Sequence, residues 1–278
     1  MVVDASAPAP VDIDAADVSN MVWFTDYVKP IYAHFKAEEV SKSARLGYMA
    51  HQTDINEKMR AILIDWLVEV HHKFKLMPET MYLTVNIIDR FLERKLVIRQ
   101  KLQLVGVTAM LLASKYEEIY APEVRDFVYI TDKAYTREQI LAMESAILNT
   151  LEFRITVPTM YVFLNRHLKA AGADERTSML ATYLVERTLQ EYKMLAHLPS
   201  KTVAACVNMA LRTLRGRDAW SATMEHYTGF SQEELAGAVV EVQDILAAGV
   251  ASSLQAVRKK YQNAKFAEVA NIAIAPLE

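Results

Sequence analysis

The strongest constraint on the fold is a run of twelve residues, 59–70, in which only three side chains are charged. At 100° per residue the apolar side chains surround the whole helix, which is typical of a helix buried in a bundle. The run is too short and too interrupted by charge to span a membrane. Asp54, with Glu57 three residues on, fits a helix N-cap. The sequence therefore predicts a long central helix from about Asp54 to Phe74.

One face of this helix has two interpretations. Four apolar residues recur at i, i+3, i+4 and i+7, namely Met59, Ile62, Leu63 and Trp66. Such spacing most often marks a face packed into the core. It is also the pattern of a partly exposed groove that receives a hydrophobic peptide from a partner, here edged by Glu69. Periodicity alone does not distinguish the two, so both stay open.

Length and composition favour a helical globular protein. The chain has 278 residues, of which 52% are hydrophobic and 23% charged, enough for one large or two small domains. Few glycines, few prolines and long stretches of good helix formers argue against an all-β fold. A net charge of −3 gives no electrostatic case for nucleic acid, so we expect neither a nucleic-acid nor a membrane partner. The single cysteine, Cys206, lies in an apolar run and fits a reducing, intracellular compartment.

Helix start signals divide the chain into two similar halves. Five helices are predicted to begin near Asp54, Pro78, Arg99, Pro122 and Thr136. Five more are predicted to begin near Pro158, Glu175, Pro199, Trp220 and Ser231. The prediction is an all-α fold with two tandem five-helix domains, an extra N-terminal helix and a C-terminal helix. The segments are a disordered lead (1–20), an N-terminal helix with its connection (21–53), the first domain (54–153), the second domain (154–250), and a C-terminal helix with its tail (251–278).

No motif indicates an enzyme. Glycine-rich phosphate loops and HExxH are missing, and the histidines are scattered, so we expect no catalytic residue, no metal and no cofactor. Two charged residues stand out because apolar residues precede or surround them, Lys115 and Glu144. A lysine near a helix C-terminus is favourable with the helix dipole, and a glutamate on a helix face is usually solvated. Both also suit a charge pair at the edge of a protein interface, where it would set orientation.

Several segments in the right order resemble the cyclin box. They are Met59-Arg60-Ala61-Ile62-Leu63, Asp65-Trp66-Leu67-Val68-Glu69-Val70, Ile88-Asp89-Arg90-Phe91-Leu92, Lys101-Leu102-Gln103-Leu104-Val105-Gly106, Leu112-Ala113-Ser114-Lys115-Tyr116-Glu117-Glu118-Ile119, and Val128-Tyr129-Ile130-Thr131-Asp132 with Tyr135-Thr136. The resemblance extends from about residue 23 to residue 274. Within the family it favours mitotic cyclins, and the B-type over the A-type, on Lys73-Phe74, Tyr116, Glu191-Tyr192-Lys193-Met194 and His226-Tyr227.

The resemblance implies a regulatory subunit without catalytic activity. Cyclins of this kind bind a cyclin-dependent serine/threonine kinase, hold its glutamate-bearing helix inward and displace its activation segment, which completes the catalytic site. They also recruit substrates and inhibitors that carry Arg-x-Leu motifs, and they drive the G2/M transition. The expected location is the nucleus and the cytoplasm.

The same resemblance assigns two sets of site residues. The implied kinase-binding residues are Lys115, Glu144, Leu112, Tyr116, Glu117, Glu118, Leu148, Phe153, Ile31 and Tyr27. The implied docking groove for Arg-x-Leu motifs is formed by Met59, Ile62, Leu63, Trp66, Glu69 and Gln103. It therefore favours the groove interpretation of this helix face. Pro30 departs from the acidic or polar residue expected in the N-terminal helix.

Two further classes of function fit the same fold. A general transcription factor with two five-helix domains would need a basic surface, which the net charge of −3 does not favour. An atypical cyclin could act as a scaffold for a partner other than an active kinase. The presence of both Lys115 and Glu144 argues against the scaffold.

Overall fold

The computed structural model describes residues 9–216 and 219–276, and the regular secondary structure within them is helical throughout. The helices of the first five-helix domain are α2 (Glu57–Phe74), α3 (Pro78–Arg94), α4 (Arg99–Glu117), α5 (Val124–Ile130) and α6 (Arg137–Thr150). Those of the second are α7 (Met160–Ala170), α8 (Glu175–Leu189), α9 (Pro199–Arg215), α10 (Ala222–Thr228) and α11 (Gln232–Gly249). The flanking helices are α1 (Thr25–Lys42) and α12 (Ala256–Tyr261). The all-α prediction of two tandem five-helix domains with flanking helices is confirmed. No helix in the described ranges combines the length and apolarity needed to cross a membrane.

The centre of the first domain is α4, not α2. Every residue from 104 to 114 is buried, and α4 packs against α2, α3, α5 and α6. Helix α2 instead lies at the edge, with Ile64 and Leu67 fully buried and Ile62 half exposed. The apolar side chains that surround α2 thus lie partly in the core and partly at the surface.

Two of the predicted helix starts carry capping boxes, and one predicted cap is wrong. Thr136 and Ser231 accept hydrogen bonds from the backbone N–H three residues on. The N-cap of α2 is Asn56, whose side chain accepts from the Met59 N–H at 3.0 Å, so α2 begins later than expected. Asp54 instead accepts from the backbone N–H and the Nε of Arg99, each at 2.7 Å. These bonds lower the pKa of Asp54.

A buried ion pair joins the two domains. The Arg60 guanidinium donates to both carboxylate oxygens of Asp89, at 2.6 and 2.7 Å, and its Nη1 donates to the backbone carbonyl of Leu189 at 3.1 Å. Arg60 and Asp89 belong to the first domain, whereas Leu189 ends α8 in the second. The pair therefore fixes α2 and α3 against α8.

Helix α1 lies on the second domain. The Tyr32 hydroxyl donates to the Val162 carbonyl at 3.0 Å, and Glu39 is buried where it accepts from the backbone N–H of Ser200 at 2.9 Å. The helix begins at Thr25. Pro30 consequently lies beyond the first turn, inside the helix.

The segment before α1 differs from the expected disordered lead. Residues 1–8 of that prediction lie outside the described residues. Farther on, Asp14 is 5% exposed, and its carboxylate accepts from Arg166 at 2.6 and 2.7 Å and from Lys169 at 2.7 Å. A short 3₁₀ helix follows at Ala15–Asp17. Because both cations belong to α7, Asp14 attaches this segment to the second domain.

Candidate protein-docking surfaces

Lys115 and Glu144 form an ion pair on the surface of the first domain. Lys115 Nζ lies 2.7 Å from Glu144 Oε1, and the two side chains are 47% and 14% exposed. Lys115 is in the last turn of α4, and Glu144 is near the middle of α6, so the packing of these two helices sets their separation. The lysine is accessible, the glutamate is largely buried, and the positions of both are fixed, which suits an orienting contact with a partner.

Large side chains near this pair are exposed to solvent. Tyr116 is 44% exposed, and its hydroxyl is hydrogen bonded to Thr156 Oγ1 at 2.7 Å. Phe153 is 65% exposed in the turn after α6, where its N–H donates to the Leu148 carbonyl at 2.9 Å. Phe153 has a φ of 57°, a left-handed conformation that is unfavourable for a bulky residue. Backbone strain of this kind clusters at functional sites, and here it holds an exposed aromatic ring.

Three of the implied kinase-binding residues are buried, half-buried or hydrogen bonded within the chain. Leu112 is 4% exposed and belongs to the core. Glu118 accepts hydrogen bonds from the Met77 N–H at 2.8 Å and from the Thr80 hydroxyl. These bonds stabilise the start of α3. Glu117 is half-buried, and burial raises its pKa, helped by nearby Glu79 and Glu118. Tyr116 and Phe153 are exposed. They are thus better placed to contact a partner than Leu112, Glu117 and Glu118 are.

Tyr27 and Ile31 are on a different element from the ion pair. They are one turn apart on α1, and both are exposed. Since α1 lies on the second domain, the structure places these two residues on a separate surface element. The contacts of α1 described above keep that element fixed relative to the second domain.

An apolar groove of about 270 Å³ lies between α2 and α4. Five of the six implied docking residues line it, namely Met59, Ile62, Leu63, Trp66 and Gln103. Arg99 and Leu102 also line it and were missed from the sequence. Arg99 could have been found from its position four residues before Gln103, because residues i and i+4 share a helix face.

Glu69, the sixth residue, does not line the groove. It belongs to a neighbouring cavity of about 280 Å³ between α2 and α12. Glu69 is one turn of α2 beyond Trp66, so its carboxylate is at the end of the groove instead of its wall.

No metal site is evident in the part of the chain that the structure describes. Among residues 9–216 and 219–276, no three His, Cys, Asp or Glu side chains are arranged to hold a metal ion. Cys206 is fully buried, and burial raises the pKa of its thiol above the usual range.

Comparison with known families gives two matches that together span most of the chain. Residues 30–156 match the family "Cyclin, N-terminal domain", and residues 158–275 match the family "Cyclin, C-terminal domain". The boundary between the two matches falls between α6 and α7.

Similar proteins include plant mitotic cyclins. Cyclin-B2-1 of Oryza sativa subsp. japonica is 49% identical over 92% of this chain and 61% of its own length. G2/mitotic-specific cyclin-1 of Medicago sativa subsp. varia is 46% identical over 93% of this chain and 60% of its own length. The chain thus spans about three-fifths of the length of these curated relatives.

Solved structures show the same fold. A viral cyclin from herpesvirus saimiri superposes with a TM-score of 0.70 at 20% identity, over 78% of this chain and 96% of that chain. A chain of the CAK complex of Chaetomium thermophilum bound to ATP-gamma-S matches with a TM-score of 0.50 at 15% identity, over 86% of this chain and 80% of that chain.

Proposed function

This chain belongs to the cyclin family, and we propose that it binds and activates a cyclin-dependent serine/threonine kinase at the G2/M transition. The similar relatives named B2-type and G2/mitotic-specific cyclins support the cell-cycle stage. We propose a regulatory subunit, not an enzyme. We also propose that it acts in the nucleus and the cytoplasm.

The observation that carries the proposal is the partly exposed Lys115–Glu144 ion pair. Its two charges orient the kinase, while the exposed rings of Tyr116 and Phe153 supply apolar area that becomes buried. A partner can shift a kinase toward its active arrangement only by binding that arrangement more tightly. A rigid surface built on two packed helices meets this need, because it accepts one kinase arrangement and not the other.

We propose that the groove between α2 and α4 recruits substrates and inhibitors with Arg-x-Leu motifs. Ile62 is half exposed at its rim, and Leu63 and Trp66 offer apolar walls for a leucine. Glu69 lies one turn further along α2, where its carboxylate suits an arginine two residues away in an extended peptide. Short extended peptides are commonly bound in this way by an apolar anchor with one charged contact.

The test mixes the purified chain with a mitotic cyclin-dependent kinase and follows phosphate transfer to a histone peptide. Wild type is compared with Lys115→Ala/Glu144→Ala. The matched control is His197→Ala/Glu241→Ala, which removes a surface pair with a 3.1 Å contact between α11 and the segment before α9.

Strong activation by wild type and by the control, lost in the Lys115/Glu144 variant, supports the proposal. Binding without activation overturns it in favour of a scaffold. Absence of binding to any such kinase also overturns it.

A further inference from the structure

The cavity between α2 and α12 continues the groove along the same helix. It is lined by Val68, Glu69, His72, Ala256, Lys259, Lys260 and Asn263. Trp66 at the end of the groove and Glu69 at the start of the cavity are neighbours at i and i+3. A peptide that follows α2 therefore passes from an apolar site directly into a charged one.

Helix α12 is held firmly enough to form a wall of this cavity. The Ala256 N–H donates to Asp65 Oδ1 at 2.9 Å, which fixes the start of α12 against α2. At its other end, the Tyr261 hydroxyl donates to Glu186 Oε1 at 2.7 Å. Both ends of α12 are thus fixed, the first to α2 and the second to α8.

The two lysines of the cavity differ in availability. Lys260 is 9% exposed, and its Nζ lies 2.7 Å from Glu186 Oε1, so its charge is already paired. Lys259 is exposed, and it makes no ion pair with any residue in the described ranges. Lys259 is therefore the cation of this cavity that can meet a ligand, with exposed His72 on the opposite helix.

Along α2, an apolar groove is followed by a cavity that is lined by one acid and, within the described ranges, one unpaired cation. The groove is apolar, Glu69 is the acid, and Lys259 is the base. From Trp66 to His72 the helix rises about 9 Å, which an extended peptide covers in about three residues. With leucine in the groove and arginine at Glu69, it is the N-terminal flank of the motif that enters the cavity lined by Lys259.

We propose that this cavity selects docking motifs with an acidic residue two to four positions before the arginine. The inference rests on the docking function proposed above and extends it from Arg-x-Leu to an acidic, N-terminally extended form. Exposed ion pairs are individually weak, so the acidic residue tunes affinity and does not replace the apolar anchor.

The experiment measures binding of fluorescent synthetic peptides to the full chain at low salt. One Arg-x-Leu peptide has neutral flanks, one has two aspartates at the second and third positions before the arginine, and one has two aspartates after the leucine. The last two carry the same net charge. Each is tested on wild type, on Lys259→Glu and on Lys265→Glu, an exposed lysine that lines neither the groove nor the cavity.

We expect the aspartates before the arginine to tighten binding about two- to fivefold on wild type and on the Lys265 variant. On Lys259→Glu the same peptide is expected to bind more weakly than the neutral one. High salt is expected to reduce both effects. Equal effects of aspartates on either side, or no change in Lys259→Glu, would overturn the inference while leaving the docking function intact. Failure of the neutral peptide to bind would overturn the docking function itself.

Discussion

A methyl group added to Gly106 would lie 2.7 Å from Leu63 Cδ1. Gly106 is on α4 and Leu63 on α2, so the missing side chain allows the two helices to approach closely at the groove. Leu63 is at once 6% exposed and part of the groove wall. The shape of the groove therefore depends on a glycine behind it.

Gly106→Ala is expected to weaken peptide docking while costing the fold at most about 2 kcal/mol. Alanine favours a helix interior over glycine by about 1 kcal/mol, and this offsets part of the overpacking cost of about 1–3 kcal/mol. Leu63 must move toward the groove, so peptide affinity should fall about tenfold, or 1.4 kcal/mol. Urea unfolding and peptide titration measure the two effects. Gly237→Ala is the control, because nothing lies within 4 Å of the added methyl; a docking loss there as large as at Gly106 would contradict the prediction.

Lys115→Ala should leave stability nearly unchanged and reduce kinase binding. The lysine is 47% exposed, so its pair with Glu144 contributes less than about 1 kcal/mol to the free energy of unfolding. At a protein interface a charge left without its partner costs about 2–5 kcal/mol. Thermal unfolding of the free chain measures the effect on stability, and titration with the kinase measures the effect on binding. A large loss of stability with unchanged kinase affinity would assign the pair a purely structural role.

Arg60→Ala, unlike Lys115→Ala, should cause a large loss of stability. Arg60 and Asp89 are both buried, and removing the guanidinium leaves the carboxylate and the Leu189 carbonyl without this donor. Breaking a buried pair in this way costs about 3–5 kcal/mol. Denaturant unfolding measures the loss. The control is Arg125→Ala, which removes an exposed pair with Glu123 and should cost less than about 1 kcal/mol. Similar losses in the two variants would contradict the prediction.

Features encoded in a few neighbouring residues could be predicted from the sequence. The capping box at Thr136 needs only Gln139, and the start of α3 needs only Pro78. Helix order and the division into two domains follow from such signals. Five of the six residues that the resemblance to cyclins assigned to a docking groove line one cavity in the structure, and their docking role stays a prediction.

Features that depend on distant partners could not be predicted. Asp54 fits a cap locally, but Arg99, 45 residues on, engages its carboxylate. Glu69 lies on the groove stripe of α2, yet α12 packs beside it and makes a second cavity. Leu112 falls in a motif that implies a kinase contact, yet it is buried. For Asp54 and Glu69 a contact far along the chain overrides the local pattern.

The contacts of Asp14, in the segment expected to be disordered, also could not be predicted from the sequence. Composition predicts disorder, but hydrogen bonds from Arg166 hold the pKa of Asp14 at about 2, with Lys169 adding to the effect against the opposing influence of burial. A carboxyl whose pKa is lower in the folded state stabilises the fold above its unfolded pKa near 4. That contribution is lost as the pH falls toward 2.

Asp14→Asn should therefore destabilise the chain by about 2 kcal/mol at pH 7, and by about half as much at pH 3. The neutral amide makes no ion pair with Arg166 or Lys169, so it cannot supply the part of the stability that depends on ionisation. Urea unfolding of both proteins between pH 7 and pH 3 measures the difference. Asp244→Asn, at an exposed position on α11, should show no such trend. A difference for Asp14 that stays constant with pH would contradict the ion-pair account, because a purely steric loss does not follow the protonation of a carboxylate.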